Sequence, residues 1–140
     1  RGLGDVYKRQ ALTYKHLEHL IDAFMPRTRR NNTYCKTLSG VSDERIKSVR
    51  TIDGLREVFN NDRYHKVNFE AYSRHRTVEF RQHSGTTNFT KMENWIRFLN
   101  GLITFAKRSS LPSRMTLEGL PFLDGKQKLF FKLRTKKLAV

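Results

Sequence analysis

The sequence predicts an α+β fold in which a partial antiparallel sheet, a hairpin over residues 64–82, is packed by helices. Residues 64–69 and 77–82 alternate apolar and polar side chains with the period of a β-strand, and a polar turn over 73–76 joins them. Apolar residues recur with helical spacing on both sides of this hairpin, most clearly between 90 and 108. Short strands beside amphipathic helices are typical of an α+β domain.

Three helices are predicted before the hairpin. The first runs from Ala11 to Met25, because its apolar residues recur every three or four positions and Pro26 cannot continue a helix. Ser42 is expected to cap a short helix that ends at about Val49, with acidic residues in its first turn. A further short helix fits residues 52–59.

Two helices are predicted after the hairpin, with a short one near 116–120 between them. Thr90 and Glu93 have the spacing of a capping box, and the helix that they open extends to about Arg108. Its predicted core stripe is Met92, Trp95, Ile96, Leu99, Ile103 and Ala106. Asp124 is expected to cap a basic helix to about Leu138. The side of that helix predicted to dock carries Leu129, Phe130, Leu133 and Leu138.

Composition limits the classes of function. The 140 residues are enough for one domain with a modest core, and no apolar run reaches the roughly 20 residues of a membrane-spanning helix. The single cysteine, Cys35, favours a reducing, cytoplasmic location. Lys and Arg number 28 against 13 Asp and Glu, a formal net charge of +15. Such a balance attracts nucleic acid, nucleotides or acidic substrates without selecting among them.

The first ten residues are treated separately. Residues 5–10 resemble the translation of a transposon end used to prepare sequencing libraries, so residues 1–10 are predicted to be an adapter scar. The alternative is a genuine short basic N-terminus. The predicted organisation is therefore a scar over 1–10, a folded domain segment over 11–110 and a basic helical tail over 111–140.

One face of the predicted hairpin is polar and carries Asn68, Glu79 and Arg81. Glu79 and Arg81 are two residues apart in a strand, so their side chains are expected on the same side of the sheet. An ordinary ion pair on a solvated sheet face is the simplest alternative for this pair.

The segments 63–69 (RYHKVNF) and 77–86 (TVEFRQHSGT), followed by Asn94-Trp95-Ile96, resemble the closing motif of an amidoligase family. An arginine-rich loop at 29–35 (RRNNTYC) is similar to one in the same family, which belongs to the glutamine synthetase-like carboxylate–amine ligases. The resemblance covers most of residues 17–107. It implies a curved sheet whose concave polar face binds ATP and a divalent metal, for an enzyme that phosphorylates a carboxylate before an amine displaces the phosphate.

The resemblance assigns expected roles to particular residues. Glu79 and Arg81 are the expected catalytic residues, with Glu79 also the ligand of Mg²⁺, which prefers hard oxygen donors. Arg81 has a guanidinium fork suited to a phosphate or carboxylate. The residues expected to bind ATP or substrate are Asn68, Arg29, Arg30 and Arg63. The expected partners are a nucleotide and small-molecule or peptide amines and carboxylates.

Family members also carry an earlier strand with paired glutamates and a histidine-rich strand, neither of which is found here. We therefore expect the chain to be the C-terminal fragment of a ligase domain, poorly stable and inactive alone. A small basic nucleic-acid-binding protein and a structural fragment without a site are the alternatives. His16 and His19 are predicted to be surface histidines. His83 is predicted to be a hydrogen-bonded histidine at the strand end, with contact to substrate as the alternative. Cys35 is not expected to be a nucleophile.

Overall fold

The computed structural model describes residues 2–139 and contains six α-helices and a two-stranded sheet within them. Arg1 and Val140, the ends of the predicted scar and tail, lie outside the described residues. The elements are α1 (Leu3–Ala23), a 3₁₀ turn (Arg27–Arg29), α2 (Asp43–Ser48), α3 (Ile52–Val58), β1 (Val67–Asn68), α4 (Ala71–His75), β2 (Glu79–Phe80), α5 (Phe89–Arg108) and α6 (Gly125–Leu138). The predicted α+β class is confirmed.

Helix α1 is the central element and packs against α5, α3 and α2. Its fully buried side chains include Tyr14, Leu17 and Ile21, which follow one another every three or four residues along one face. The helix ends near Pro26, as predicted, but it begins at Leu3 instead of Ala11.

The first turns of α1 contact the segment between α2 and α3. Lys8 Nζ donates to the carbonyl oxygens of Lys47 and Val49, each at 3.0 Å. Gly4 is buried so closely that a Cβ atom there would lie 2.6 Å from the carbonyl oxygen of Arg50. Residues 3–10 are thus an integral part of α1, while their origin as an adapter scar stays a prediction.

Both short helices before the sheet have a side-chain N-cap, of which Ser42 was predicted and Thr51 was not. The Ser42 hydroxyl accepts a hydrogen bond from Arg45 N at the start of α2, and the Thr51 hydroxyl accepts one from Gly54 N at the start of α3. Each cap satisfies an amide that the helix leaves without a partner. Ile46 and Leu55 then bury the inner face of each helix.

The sheet is antiparallel but much shorter than predicted. Strands β1 and β2 have two residues each, with Val67 opposite Phe80 and Asn68 opposite Glu79. The predicted polar turn is largely helix α4, and Arg76, which follows the helix, has the left-handed conformation with φ of 56°. The residues that form α4 would have to be extended or in a tight turn for a longer β1 and a simple hairpin.

Both faces of β1 are buried, so the predicted polar face is not solvated along this strand. Lys66 and Val67 are almost completely inaccessible, and Asn68 and Phe69 are buried too. Helix α1 covers the side of Lys66, while Phe69 stacks on Phe59 of the segment after α3. Period-two alternation alone does not reveal that both sides are covered.

Helix α5 differs from its prediction in its cap and in its buried stripe. Asn88, and not Thr90, is the N-cap, since its side chain accepts from Lys91 N. The buried residues are Trp95, Phe98, Leu102 and Ala106, whereas Ile96 is 57% exposed. Phe98 decides the rotation of the helix, because its ring packs on those of Phe24 and Phe131.

Helix α6 is capped by Asp124 as predicted, and it ends at Leu138 as expected. Asp124 and Gln127 also exchange hydrogen bonds, which makes the cap a capping box. The docking side of α6 was predicted correctly only in part, since Phe130 packs against the core and Leu138 is partly buried. Phe131 is buried against Phe24, while Leu129 and Leu133 are 56% and 58% exposed. The helix predicted near 116–120 is a turn, closed by a hydrogen bond from Gly119 N to the carbonyl oxygen of Thr116.

A buried ion network joins α1 to the sheet. Lys66 Nζ lies 2.7 Å from Glu18 Oε2 and 2.9 Å from Asp22 Oδ1. Gln82 donates to Asp22 and accepts from the Tyr14 hydroxyl at 2.6 Å. Burial raises the pKa of Asp22, while hydrogen bonds from Lys66 and Gln82 oppose that rise. The network satisfies charges that would otherwise be costly to bury.

No helix among residues 2–139 combines the length and the hydropathy needed to cross a lipid bilayer.

Replacing Lys66 by methionine should lower the free energy of unfolding by about 3 kcal/mol, because Glu18 would be left as an unpaired buried charge. Urea unfolding measures this, with Lys137→Met on the exposed surface of α6 as the control. Adding Glu18→Gln should recover part of the loss, since it removes the unpaired charge. Equal unfolding midpoints for Lys66→Met and the control would contradict a structural role for the network.

Asp43 should make the stability of the fold sensitive to acid. A hydrogen bond from Lys15 and another from His16 hold the pKa of Asp43 below its usual value, although desolvation opposes them. A carboxyl with a depressed pKa stabilises the folded state above its unfolded pKa of about 3.9, and that contribution is lost as the pH falls through the folded value. The difference in unfolding free energy between wild type and Asp43→Asn should therefore shrink below about pH 4. A difference that is constant from pH 7 to pH 3 would contradict this assignment.

Candidate functional site

Glu79 and Asn68 meet at the end of the short sheet. They are directly opposite in the antiparallel register, and Asn68 Nδ2 donates to Glu79 Oε1 at 3.2 Å. The Glu79 side chain is 50% exposed. Its second oxygen, Oε2, accepts no hydrogen bond from any of residues 2–139. Glu79 therefore presents a carboxylate oxygen that is oriented by its neighbours and remains accessible.

Arg81 lies on the same side as Glu79, as predicted for two residues spaced by one in a strand. Its Nη1 donates to Glu79 Oε1 at 2.9 Å, and its guanidinium stacks 5.3 Å from the centre of the Tyr64 ring. The Nε atom is buried and, among the described residues, has no hydrogen-bond partner. A guanidinium with unused donors beside a half-exposed carboxylate is an arrangement that can receive an anion.

Tyr64 brings two predicted site residues together, although no role in this site was predicted for it. Arg63 donates from Nη2 to the Tyr64 hydroxyl at 2.6 Å, and its guanidinium also lies 4.8 Å from the centre of the Tyr64 ring. Tyr34 packs edge-on against Tyr64, with the ring centres 5.5 Å apart. The sequence contains one indication of this role: an aromatic residue directly follows Arg63 in the motif. Aromatic rings attract guanidinium groups.

Arg29 is bound to the main chain of the segment that follows Glu79. Its Nε donates to the carbonyl oxygen of Gln82 at 2.9 Å, and its Nη2 donates to those of Arg81 and, at 3.4 Å, His83. The carbonyl oxygen of Arg29 in turn accepts from Gln82 Nε2 at 3.0 Å. These contacts fix the backbone at Arg81, and the phosphate-binding role of Arg29 stays a prediction.

Arg30 is directed away from this group. Its Nε donates to the carbonyl oxygen of Met25 at 2.9 Å, so it closes the turn after α1. The structure therefore brings together Asn68, Glu79, Arg81 and Arg63, supports them with Arg29 and places Arg30 elsewhere. Their roles in binding and catalysis stay predictions.

Other side chains that could bind metal or act as nucleophiles contact the protein itself. His16 lies between Asp43 Oδ2, at 2.7 Å, and the carbonyl oxygen of Leu111, at 2.8 Å. Cys35 is buried; desolvation raises the pKa of its thiol, and Sγ donates to the carbonyl oxygen of Arg29 at 3.1 Å. Within residues 2–139, no group of three or more His, Cys, Asp or Glu side chains is arranged to hold a metal ion.

Replacing Arg29 by alanine should lower the free energy of unfolding by about 2 kcal/mol, because three main-chain carbonyl groups lose charged donors. Thermal or urea unfolding measures the change. Arg27→Ala is the matched control, since Arg27 is exposed and its guanidinium has no partner in the described part of the chain. Equal stability of the two variants would show that Arg29 does not hold the segment after β2.

Comparison with protein families gives one match that spans most of the chain. The family, described as "putative amidoligase enzyme", matches residues 3–103. This range includes Asn68, Glu79 and Arg81 and ends within α5, so α6 lies outside it. It also includes residues 3–10, whose origin as a scar stays a prediction.

Comparison with curated proteins and with solved structures finds no match. None of the comparisons supports the nucleic-acid-binding alternative. The family match covers well over half of the chain and includes the residues gathered at the end of the sheet. The chain therefore belongs to the family of amidoligase enzymes, which indicates an enzyme of the ligase class.

Proposed function

We propose that this chain is the C-terminal part of an ATP-dependent carboxylate–amine ligase of the glutamine synthetase-like type. In the proposed reaction, a carboxylate oxygen of one substrate attacks the γ-phosphorus of ATP, and ADP leaves. The nitrogen of an amine then attacks the acyl carbon of the resulting acyl phosphate. Phosphate leaves, the amine loses a proton and an amide bond remains.

The grouping of Glu79, Arg81 and Asn68 is the observation that carries this proposal. Arg81 and Asn68 both donate to Oε1 of Glu79, which leaves Oε2 without a hydrogen bond from the described residues. A carboxylate fixed through one oxygen and accessible through the other costs little further entropy when it binds a ligand. This preorganisation is what a nucleotide site requires of its acidic residue.

The donor set fits a magnesium ion that arrives with its nucleotide better than one held by the protein alone. Mg²⁺ commonly takes one or two carboxylates and completes its shell with waters and substrate phosphates. Glu79 Oε2 would be the ligand from this chain, and no cluster of three acidic or other ligand side chains is present among residues 2–139. When bound, the ion would supply positive charge against the phosphate oxygens.

The arginines fit the anionic partners of the reaction. Arg63 and Arg81 flank one tyrosine ring, and Glu79 is the carboxylate that Arg81 contacts. Their remaining donors would orient phosphate or carboxylate oxygens through charge-assisted hydrogen bonds. The formal net charge of +15 favours the approach of ATP and acidic substrates for the same electrostatic reason.

Glu79→Gln should weaken the binding of Mg·ATP to the 140-residue chain by about tenfold or more, because a neutral amide oxygen is a poorer ligand for Mg²⁺. Isothermal titration calorimetry with Mg·ATP, and with ATP in EDTA, measures this. The affinity for metal-free ATP should change little, whereas Arg81→Met should weaken both forms of the nucleotide.

Glu57→Gln is the matched control, since Glu57 is an exposed glutamate of α3 with no side-chain partner within residues 2–139. It should leave both affinities unchanged. Wild-type affinity of Glu79→Gln for Mg·ATP, or no binding of Mg·ATP by the wild-type chain, would contradict the proposed role of this site.

A further inference from the structure

A small cavity of about 110 Å³ lies beyond the end of the sheet, between the 83–86 loop, α5 and α6. Phe24 and Phe131, both buried, contribute apolar walls. The loop residue His83 lines another side, where its imidazole stacks on Trp95 with ring centres 5.3 Å apart. This cavity is separate from the cluster formed by Glu79, Arg81 and Tyr64.

Two cations line the cavity without a counter-charge. Lys91, in the first turn of α5, and Arg134, on α6, are each only partly exposed. Neither side chain forms an ion pair or a hydrogen bond with any of the described residues, and no acidic residue lines the cavity. Partly buried cations without partners create a strongly favourable place for an anion, because their hydration is already reduced.

His83 is close to both cations. Its Nδ1–H donates to the carbonyl oxygen of Ser84 at 2.7 Å, which leaves Nε2 free of any bond to residues 2–139. Burial lowers the pKa of His83; the hydrogen bond to Ser84 opposes this, and the nearby charges of Arg134, Lys91 and Arg29 lower the pKa further. A bound anion would raise this pKa and favour donation from Nε2.

We propose that this cavity binds the carboxylate group of a small organic acid, with Lys91 and Arg134 holding the carboxylate and Phe24 and Phe131 contacting its apolar body. The volume matches about four water molecules at roughly 30 Å³ each, which suits an acid of a few carbon atoms. The aromatic rings of Phe24, Phe130 and Phe131 favour an anion with an apolar body over a bare phosphate, because a bare phosphate has no apolar group to pack against them.

The assignment deepens the proposed function by giving the acid substrate a position, and to that extent it rests on that function. Arg134 belongs to α6, outside the range of the family match, whereas His83 and Lys91 lie within it. The cavity thus combines a loop within the matched range with a helix outside it. Because α6 lies outside the matched range, the choice of acid would depend in part on a segment that the family match does not cover.

Titration of the full chain with isobutyrate, in the absence of ATP and at constant ionic strength, tests the proposal. Binding is followed by the NMR ring signals of His83. We expect saturable binding, an upward shift of the His83 titration midpoint, and affinity about tenfold above that for acetate, because isobutyrate buries two more carbons. Arg134→Gln and Lys91→Gln should each weaken isobutyrate binding by about tenfold. Lys137→Gln, an equal charge change on the exposed side of α6, should alter it less than about twofold.

Non-saturable binding, or an equal loss in Lys137→Gln, would overturn the proposal, since either result indicates only general attraction to a basic protein. Tighter binding of inorganic phosphate than of isobutyrate would overturn the choice of a carboxylate. If Arg134→Gln disturbs the amide spectrum away from the cavity, Lys91→Gln decides the outcome. Because no nucleotide is present, failure here leaves the test of Glu79 with Mg·ATP unaffected, and the reverse also holds.

Discussion

The ammonium group of Lys66 is the constraint on which the rest of the structure depends. It is fully buried, so it must be paired, and its partners Glu18 and Asp22 are spaced by four residues on one face of α1. This pairing sets the position of β1 along the helix. Gln82 extends the same network to the segment after β2 through its contacts with Asp22 and Tyr14. One buried charge thereby fixes the helix and both strands against each other.

The candidate site follows from that arrangement. Because Gln82 is directed inward to the network, its neighbour Arg81 is directed to the opposite side, where it meets Glu79 and Tyr64. Arg29 reinforces the same geometry by donating to main-chain carbonyl groups on both sides of Gln82. The buried network thus stabilises the backbone that positions the accessible carboxylate oxygen of Glu79. Mutations in the network should affect the site indirectly, through the backbone.

The two proposed binding regions use different parts of the chain. The group around Glu79 lies wholly within the range matched by the amidoligase family. The cavity beside His83 also needs Arg134 from α6, which docks through Phe131 on Phe24. Activation of a carboxylate and selection of the acid would then be carried by different parts of the molecule.

The sequence alone determined the α+β class, the caps at Ser42 and Asp124 and the shared side of Glu79 and Arg81, because these depend on local spacing and backbone chemistry. It also indicated the family through its motif. Only the tertiary structure decided which stripe of α5 is buried, how short the strands are and that Lys66 is an interior charge. Those features depend on which distant surfaces cover a residue. In α5, the stripe with Phe98 and the predicted stripe with Ile96 have the same helical period. The packing of Phe98 against Phe24 and Phe131 determines which of the two is buried.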